Sequence, residues 1–307
     1  MNEKINTLLL FLSKYLQGKE AALRLALTCF FARGHLLIED LPGLGKTTLA
    51  IGIAKALGLS FGRIQCTSDL LPSDITGLSI YNKNTAEFEF HRGPIFNNIV
   101  LVDEINRATP KTQSALLEAM GEKQVTIEEK TYKLVKPFFV IATQNPVEQY
   151  GTFPLPESQL DRFMMKTGIG YPSREAEKDI IKNGSKREEL YNMKPFMDEK
   201  SCLDMIEAIR GQVYLSDNIL EYIMNIVEAT RKSKYMVSGV STRGALAISS
   251  TAKVHAYFYA RDFVIPEDIK SLAPYVITHR VVFKEEYEVI NKEEIVRSVV
   301  EEVKVPL

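Results

Sequence analysis

The sequence predicts an α/β fold, a five-stranded parallel sheet with covering helices, followed by an all-α domain. Three observations carry this reading. Short apolar runs without polar alternation recur between helical patterns across residues 35–169, as strands covered on both faces do. A glycine-rich turn, LPGLGKTT at residues 41–48, stands between the first of these runs and a helical pattern. After Tyr171-Pro172 the strand-like runs stop and helical periodicity takes over.

The chain has 307 residues, 45% hydrophobic and 25% charged, with a formal net charge of −1. That is ordinary for a globular protein with room for two domains, and it excludes a global pull toward nucleic acid or anionic lipid. Cys29, Cys66 and Cys202 are scattered, with no C-x-x-C pair. This argues against a disulfide framework or zinc site and suits a reducing cytoplasm. Residues 1–16 hold an apolar LLLFL but also Lys4 and Lys14, and no small-residue cleavage site. They predict an amphipathic helix rather than a signal peptide. The run 21–38 is broken by Arg24 and Arg33, so it does not span a membrane.

Strands are predicted at HLLIE (35–39), FGRIQC (61–66), NIVLVD (98–103) and FFVIAT (138–143), with a weaker fifth at MMKTGI (164–169). Helices are predicted at 47–57, 111–120 and 156–162. Two stretches break the rhythm with polar–apolar alternation, the mark of exposed antiparallel strands. GLSIYN and EFEFHRG, joined by KNTA, read as one hairpin; KQVTIE and YKLVKP, joined by EKT, read as another. Beyond the boundary near 170, Ser216-Asp217 starts a helix with Ile219, Ile223, Ile226 and Val227 on one face. Ser241-Thr242 precedes a helix to about Arg261, and Pro266 with Glu267 and Asp268 opens another. The charged stretch 182–200 reads as a loop or a frayed helix. Domains of 1–170 and 171–307 follow.

The glycine-rich turn matches the second half of the phosphate-loop pattern G-x-x-x-x-G-K-[ST] through Gly45, Lys46 and Thr47, but Asp40 stands where the first glycine belongs. It follows a buried strand and opens a helix, the context a phosphate loop needs. Gly43 and Gly45 let backbone amides approach phosphate oxygens, and the helix N-terminus adds partial positive charge. Lys46 would reach the β- and γ-phosphates and the Thr47 hydroxyl would ligate Mg²⁺. The Asp40 carboxylate would be repelled by phosphate and is expected to point away. In NIVLVDE, Asp103 and Glu104 end a buried strand, the Walker B pattern: Asp103 to hold magnesium through a water, Glu104 to activate the attacking water. VIATQNP ends a fourth strand in Thr143, Gln144 and Asn145, placing Asn145 to hydrogen-bond the γ-phosphate or the water.

In LPGLGKT, HRGPIFNNIVLVDEINRATPKTQSALLEAMGEKQVTI, FFVIATQNPVEQYGTFPLPESQLDRF and GVSTRGAL, the chain resembles the MoxR family of AAA+ ATPases, in the helix-2-insert clade. The resemblance implies a phosphate-loop core with a five-stranded parallel sheet, a helical lid, and a ring, usually a hexamer. It implies ATP/ADP and Mg²⁺ as ligands, with Pro42, Gly43, Leu44, Gly45, Lys46, Thr47 and Thr48 forming the nucleotide loop and Thr47 and Asp103 the metal site. The two hairpins match the family's insertions. Arg162 matches its arginine finger, acting on a neighbour's γ-phosphate, and Arg243 its sensor 2 arginine, acting on its own or a neighbouring subunit's nucleotide. Arg107 stays unassigned between a neighbour and Glu104. His91, His279, Tyr257 and Tyr259 read as structural.

Family members act as chaperones that remodel or assemble partner complexes, often with a separate protein carrying a von Willebrand factor A domain. Two alternatives share the insertions: a helicase-like nucleic-acid motor and a magnesium-chelatase-like ATPase subunit. In the second hairpin Lys123, Lys130 and Lys133 are balanced by Glu122, Glu128 and Glu129, which disfavours a phosphate-tracking surface. The match of PLPESQLDRF favours MoxR over the chelatase.

Overall fold

The computed structural model describes residues 2–127, 130–147, 151–184, 186–287 and 290–306. Helices α1 (Glu3–Ser13) and α2 (Glu20–Phe31) open the chain. The alternating region follows as β1 (Leu36–Glu39), α3 (Lys46–Ala56), β2 (Phe61–Gln65), α4 (Pro72–Thr76), β3 (Gly77–Asn82), β4 (Glu87–Arg92), β5 (Ile99–Asp103), α5 (Pro110–Glu122), β6 (Gln124–Ile127), β7 (Lys130–Lys133), β8 (Phe139–Gln144), α6 (Glu157–Leu160) and β9 (Met165–Thr167). Then come α7 (Arg174–Asn183), α8 (Glu199–Gln212), α9 (Asp217–Lys232), β10 (Met236–Ser238), α10 (Thr242–Phe258), α11 (Pro266–Ile277), β11 (Val282–Phe283) and α12 (Lys292–Glu302).

The five predicted strands form one parallel sheet in the order β2-β5-β8-β1-β9. Alternate residues of each central strand feed two cores. Leu36, Ile38, Ile99, Leu101, Phe139 and Ile141 face one side; Leu37, Val100, Val102, Val140 and Ala142 face the other, where they pack with α5. Burial on both faces is why these runs lack polar alternation. β1 lies between β8 and β9, while the chain leaving it crosses through α3 to β2 at the far edge. The loop after β1 therefore sits in the crevice outside the carboxyl ends of the strands, where open α/β sheets bind ligands.

The first core is continuous from α1 and α2 into the later helices. Ile219, Ile223, Ile226 and Val227 of α9 are all buried in it. Arg280, just past α11 and with its side chain buried, donates to Asp161 at 2.9 Å and to the carbonyls of Phe163 (2.6 Å) and Met164 (2.9 Å), tying the later helices to the α6–β9 turn.

Several sequence expectations are corrected. The later half is not free of strands: β10 and β11 pair antiparallel, Met236 opposite Phe283. Their shortness gives them no readable period. β7 starts at Lys130, inside the predicted turn, and ends at Lys133, short of the predicted KP. The fifth strand spans 165–167, not 164–169, and α6 spans 157–160, not 156–162. The charged stretch 182–200 holds the end of α7, a 3-10 turn at Glu188–Asn192 and the start of α8. Among the balancing acids of the second hairpin, Glu128 and Glu129 lie outside the described residues, as do residues 148–150 of the fourth-strand motif. The two hairpins touch through Phe90 and Tyr132, whose ring centroids are 4.3 Å apart.

Candidate nucleotide site

The loop after β1 has the shape its glycines require. Gly43 (φ 83°) and Gly45 (φ 96°) both adopt left-handed conformations. A Cβ at either would meet nothing within 4 Å, so glycine is needed there for backbone conformation, not for space. Gly45 is the N-cap of α3 and offers no side-chain cap, so the first amides of α3 are left for an anion.

Asp40 turns away from this cradle. Its Oδ2 accepts the amides of Ile169 and Gly170, each at 2.7 Å, and its Oδ1 accepts that of Leu41 at 2.8 Å. Burial pushes its pKa up, but the three amides and nearby Lys46 together hold it below the usual carboxylate range. The Lys46 ammonium donates to the Asp40 carbonyl. Burial lowers its pKa, against the opposing pull of Asp40, Asp103 and Glu104.

The ends of β2, β5 and β8 supply the opposite wall. The Arg63 guanidinium reaches the buried Asp103 at 2.8 Å. Glu104 follows Asp103 with φ 57° and ψ 51°, a left-handed conformation that costs a non-glycine residue on the order of 1–3 kcal/mol. This turn aims its side chain into the cleft. Its amide donates to the Thr143 hydroxyl at 2.9 Å, and that hydroxyl lies 3.4 Å from Asp103 Oδ1. Glu104 Oε2 accepts from Arg107 at 3.0 Å and from Gln65 at 3.4 Å. Asn145, buried just beyond β8, accepts the Val147 amide on Oδ1 at 3.2 Å.

Pro42, Gly43, Gly45, Lys46, Thr47, Thr48, Asp103, Glu104 and Asn145 line one cleft of about 340 Å³. Leu44 lines an adjoining, more apolar cleft of about 530 Å³ with Tyr15, Leu16, Tyr171 and Ile180. Arg162 and Arg243 line neither. Arg162 donates to the Leu117 carbonyl of α5 at 2.8 Å, and Arg243, largely exposed, lies 3.7 Å from Asp161. Arg107 pairs with Glu104. His279 is buried against the Phe163 carbonyl, at 2.8 Å, and His91 is exposed on β4.

Sequence reasoning missed Arg63, Gln65, Arg187 and the apolar arm. The first two had a signal: they alternate with Ile64 in a strand otherwise apolar. Arg187 had none, lying in an aperiodic charged stretch.

The strand order and this cleft define an AAA-type ATPase fold. A family model for the ATPase family associated with various cellular activities (AAA) matches residues 35–165, and one for the AAA lid domain matches 228–299. A crystal structure from Cytophaga hutchinsonii superposes with a TM-score of 0.92 at 40% identity, covering 99% of this chain and 95% of that one. The uncharacterized protein YeaC of Bacillus subtilis is 47% identical over 96% of this chain and 93% of its own length. Chaperone MoxR1 of Mycobacterium tuberculosis is 38% identical over 86% of this chain and 72% of its own. Protein MoxR of Methylorubrum extorquens is 29% identical over 96% and 93%. The chain belongs to the MoxR family of AAA+ ATPases. No described helix is long and apolar enough to cross a membrane.

Proposed function

We propose that this chain binds and hydrolyses ATP in an oligomeric ring, a hexamer, and uses the cycle to remodel or assemble a partner protein complex. The observation that carries the reading is the convergence of Lys46, Thr47, Asp103, Glu104 and Asn145 on one cleft at the carboxyl edge of the sheet. Lys46 and the uncapped start of α3 bind the β- and γ-phosphates; the apolar arm takes the nucleoside. Thr47 and Asp103 suit Mg²⁺, which takes a carboxylate and a hydroxyl beside substrate phosphates. An ion held there by Thr47 and Asp103 would neutralise phosphate charge. Glu104 orients the attacking water and accepts its proton, and Asn145 holds the water or the γ-phosphate.

Arg162, outside its own chain's cleft, reaches a neighbour's γ-phosphate. Arg243 belongs to the same interface. Domains of 1–170 and 171–307 serve as nucleotide domain and lid. The relative named as a chaperone supports the remodelling role. The partner is a separate polypeptide, a von Willebrand factor A domain protein.

Two variants test the reading. Lys46→Ala removes the principal phosphate cation and should abolish nucleotide binding by calorimetry. Glu104→Gln keeps the shape and removes the base; it should bind ATP normally and release phosphate about 10²–10⁴-fold more slowly. Wild-type turnover in Glu104→Gln would remove Glu104 from the site.

A further inference from the structure

We infer that Arg187 contacts the terminal phosphate of the nucleotide held by its own chain, and that the segment carrying it links this contact to α8. The inference rests on the ATPase reading above. Residues 187–198 run along α3 in the same direction as that helix, fastened at successive turns of it. At its C-terminal end the amides of Phe196 and Met197 both donate to the Ala56 carbonyl, at 2.8 and 3.0 Å. One turn back, the fully buried Leu190 lies over Gly52, where a Cβ would stand 3.8 Å from it and 3.2 Å from Leu16. One turn further back is Thr48, and there Arg187 lines the cleft with Lys46, Thr47, Asp103 and Glu104. Positions 56, 52 and 48 share one helix face. Arg187 is thus delivered to the phosphate end of α3 by two anchors behind it.

The charges around it fit that role. Among the described residues, Lys46, Arg63 and Arg187 are the cations lining the cleft, and Arg63 is engaged by Asp103 at 2.8 Å. The neighbouring Lys186 lines the apolar arm, so residues 186 and 187 straddle the junction of the two arms. A guanidinium at that point can bind phosphate oxygens in a bidentate, charge-assisted pair. Arg243, the lid arginine singled out from sequence, lies beside Asp161 instead. Downstream, Asp198 caps α8, which starts at Glu199. A ligand that draws in Arg187 therefore acts on the strap that ends in α8.

The test compares wild type, Arg187→Ala and Arg187→Lys with Mg²⁺ and either ADP or an ATP analogue whose β–γ bridge cannot be hydrolysed. Arg187→Ala should weaken the analogue about tenfold or more and ADP by less than about threefold, with Arg187→Lys between. Amide hydrogen exchange across residues 190–202 should slow when the analogue binds to wild type and not when it binds to Arg187→Ala. If Arg187→Ala does not fold, Arg187→Lys carries the same comparison. Normal analogue binding by the variants, or equal loss of ADP and analogue, overturns the assignment. A wild type that binds neither nucleotide overturns the ATPase reading as well.

Discussion

At Asp40 one residue shows how a motif can break its pattern and keep its geometry. The phosphate-loop formula asks for glycine there, yet the carboxylate is spent on the amides of Leu41, Ile169 and Gly170. It stitches the start of the loop to the end of β9. Restoring the formula should therefore do harm. Asp40→Gly is expected to lose about 1–3 kcal/mol of stability, the scale of amide bonds to a partly exposed carboxylate, in urea titrations. It should bring no gain in nucleotide affinity. The Lys46 contact is to the Asp40 backbone carbonyl, so glycine preserves it. Tighter nucleotide binding by Asp40→Gly would mean that the carboxylate opposes phosphate after all. Glu104 is the converse case: its residue type was legible in sequence, but its left-handed backbone was not.

Elements are seated by polar anchors as well as by apolar faces. The buried His35 immediately precedes β1 and accepts the Val140 amide on Nδ1 at 3.0 Å, while Nε2 lies 3.3 Å from the Met120 carbonyl at the end of α5. Both ring nitrogens are used by the neutral ring, and a second proton would break the Val140 bond. Burial, and after it the charge of Lys123, lowers its pKa to about 4. The unfolded chain, titrating near 6.5, takes up the proton first. This contribution to stability is therefore complete above about pH 6.5 and is lost as pH falls toward 4. Between pH 7 and pH 5 it should cost about 2 kcal/mol. Urea titrations of wild type and His35→Gln should show the variant losing that much less over the interval. Parallel losses in the two proteins would place the acid sensitivity elsewhere. His279, buried and also lowered by desolvation and by Arg280, adds in the same direction.

The whole molecule raises the question of where the arginines act. Arg162 sits against α5, beside Gly121, whose missing Cβ leaves room for the guanidinium. The Arg280–Asp161 pair pins the turn that carries it. If Arg162 completes a neighbour's site, Arg162→Ala and Glu104→Gln fail for different reasons in different subunits. Mixed in equal amounts with free exchange, a working interface needs Glu104 from one chain and Arg162 from the next. Roughly one half times one half, or about a quarter, of head-to-tail interfaces qualify. Phosphate release should rise above that of either variant alone. No recovery, in rings shown to be mixed by native mass spectrometry, would place the action of Arg162 within its own chain or require strict coupling around the ring.

The central strands, the helix after the glycine-rich loop, both hairpins and the position of Asp103 and Glu104 at the end of β5 were legible from the amino-acid order because their causes are local. Two-sided burial writes unbroken apolar runs, and a left-handed turn demands Gly43 and Gly45. The partners of Asp40, the Arg63–Asp103 pair, the seat of Arg280 on Asp161 and the strap that brings Arg187 to Lys46 join residues far apart in the chain. The short pair β10–β11 is of the same kind. None of these leaves a periodic trace, because each is chosen by which surfaces meet when the sheet and helices pack. Tertiary packing alone settled them.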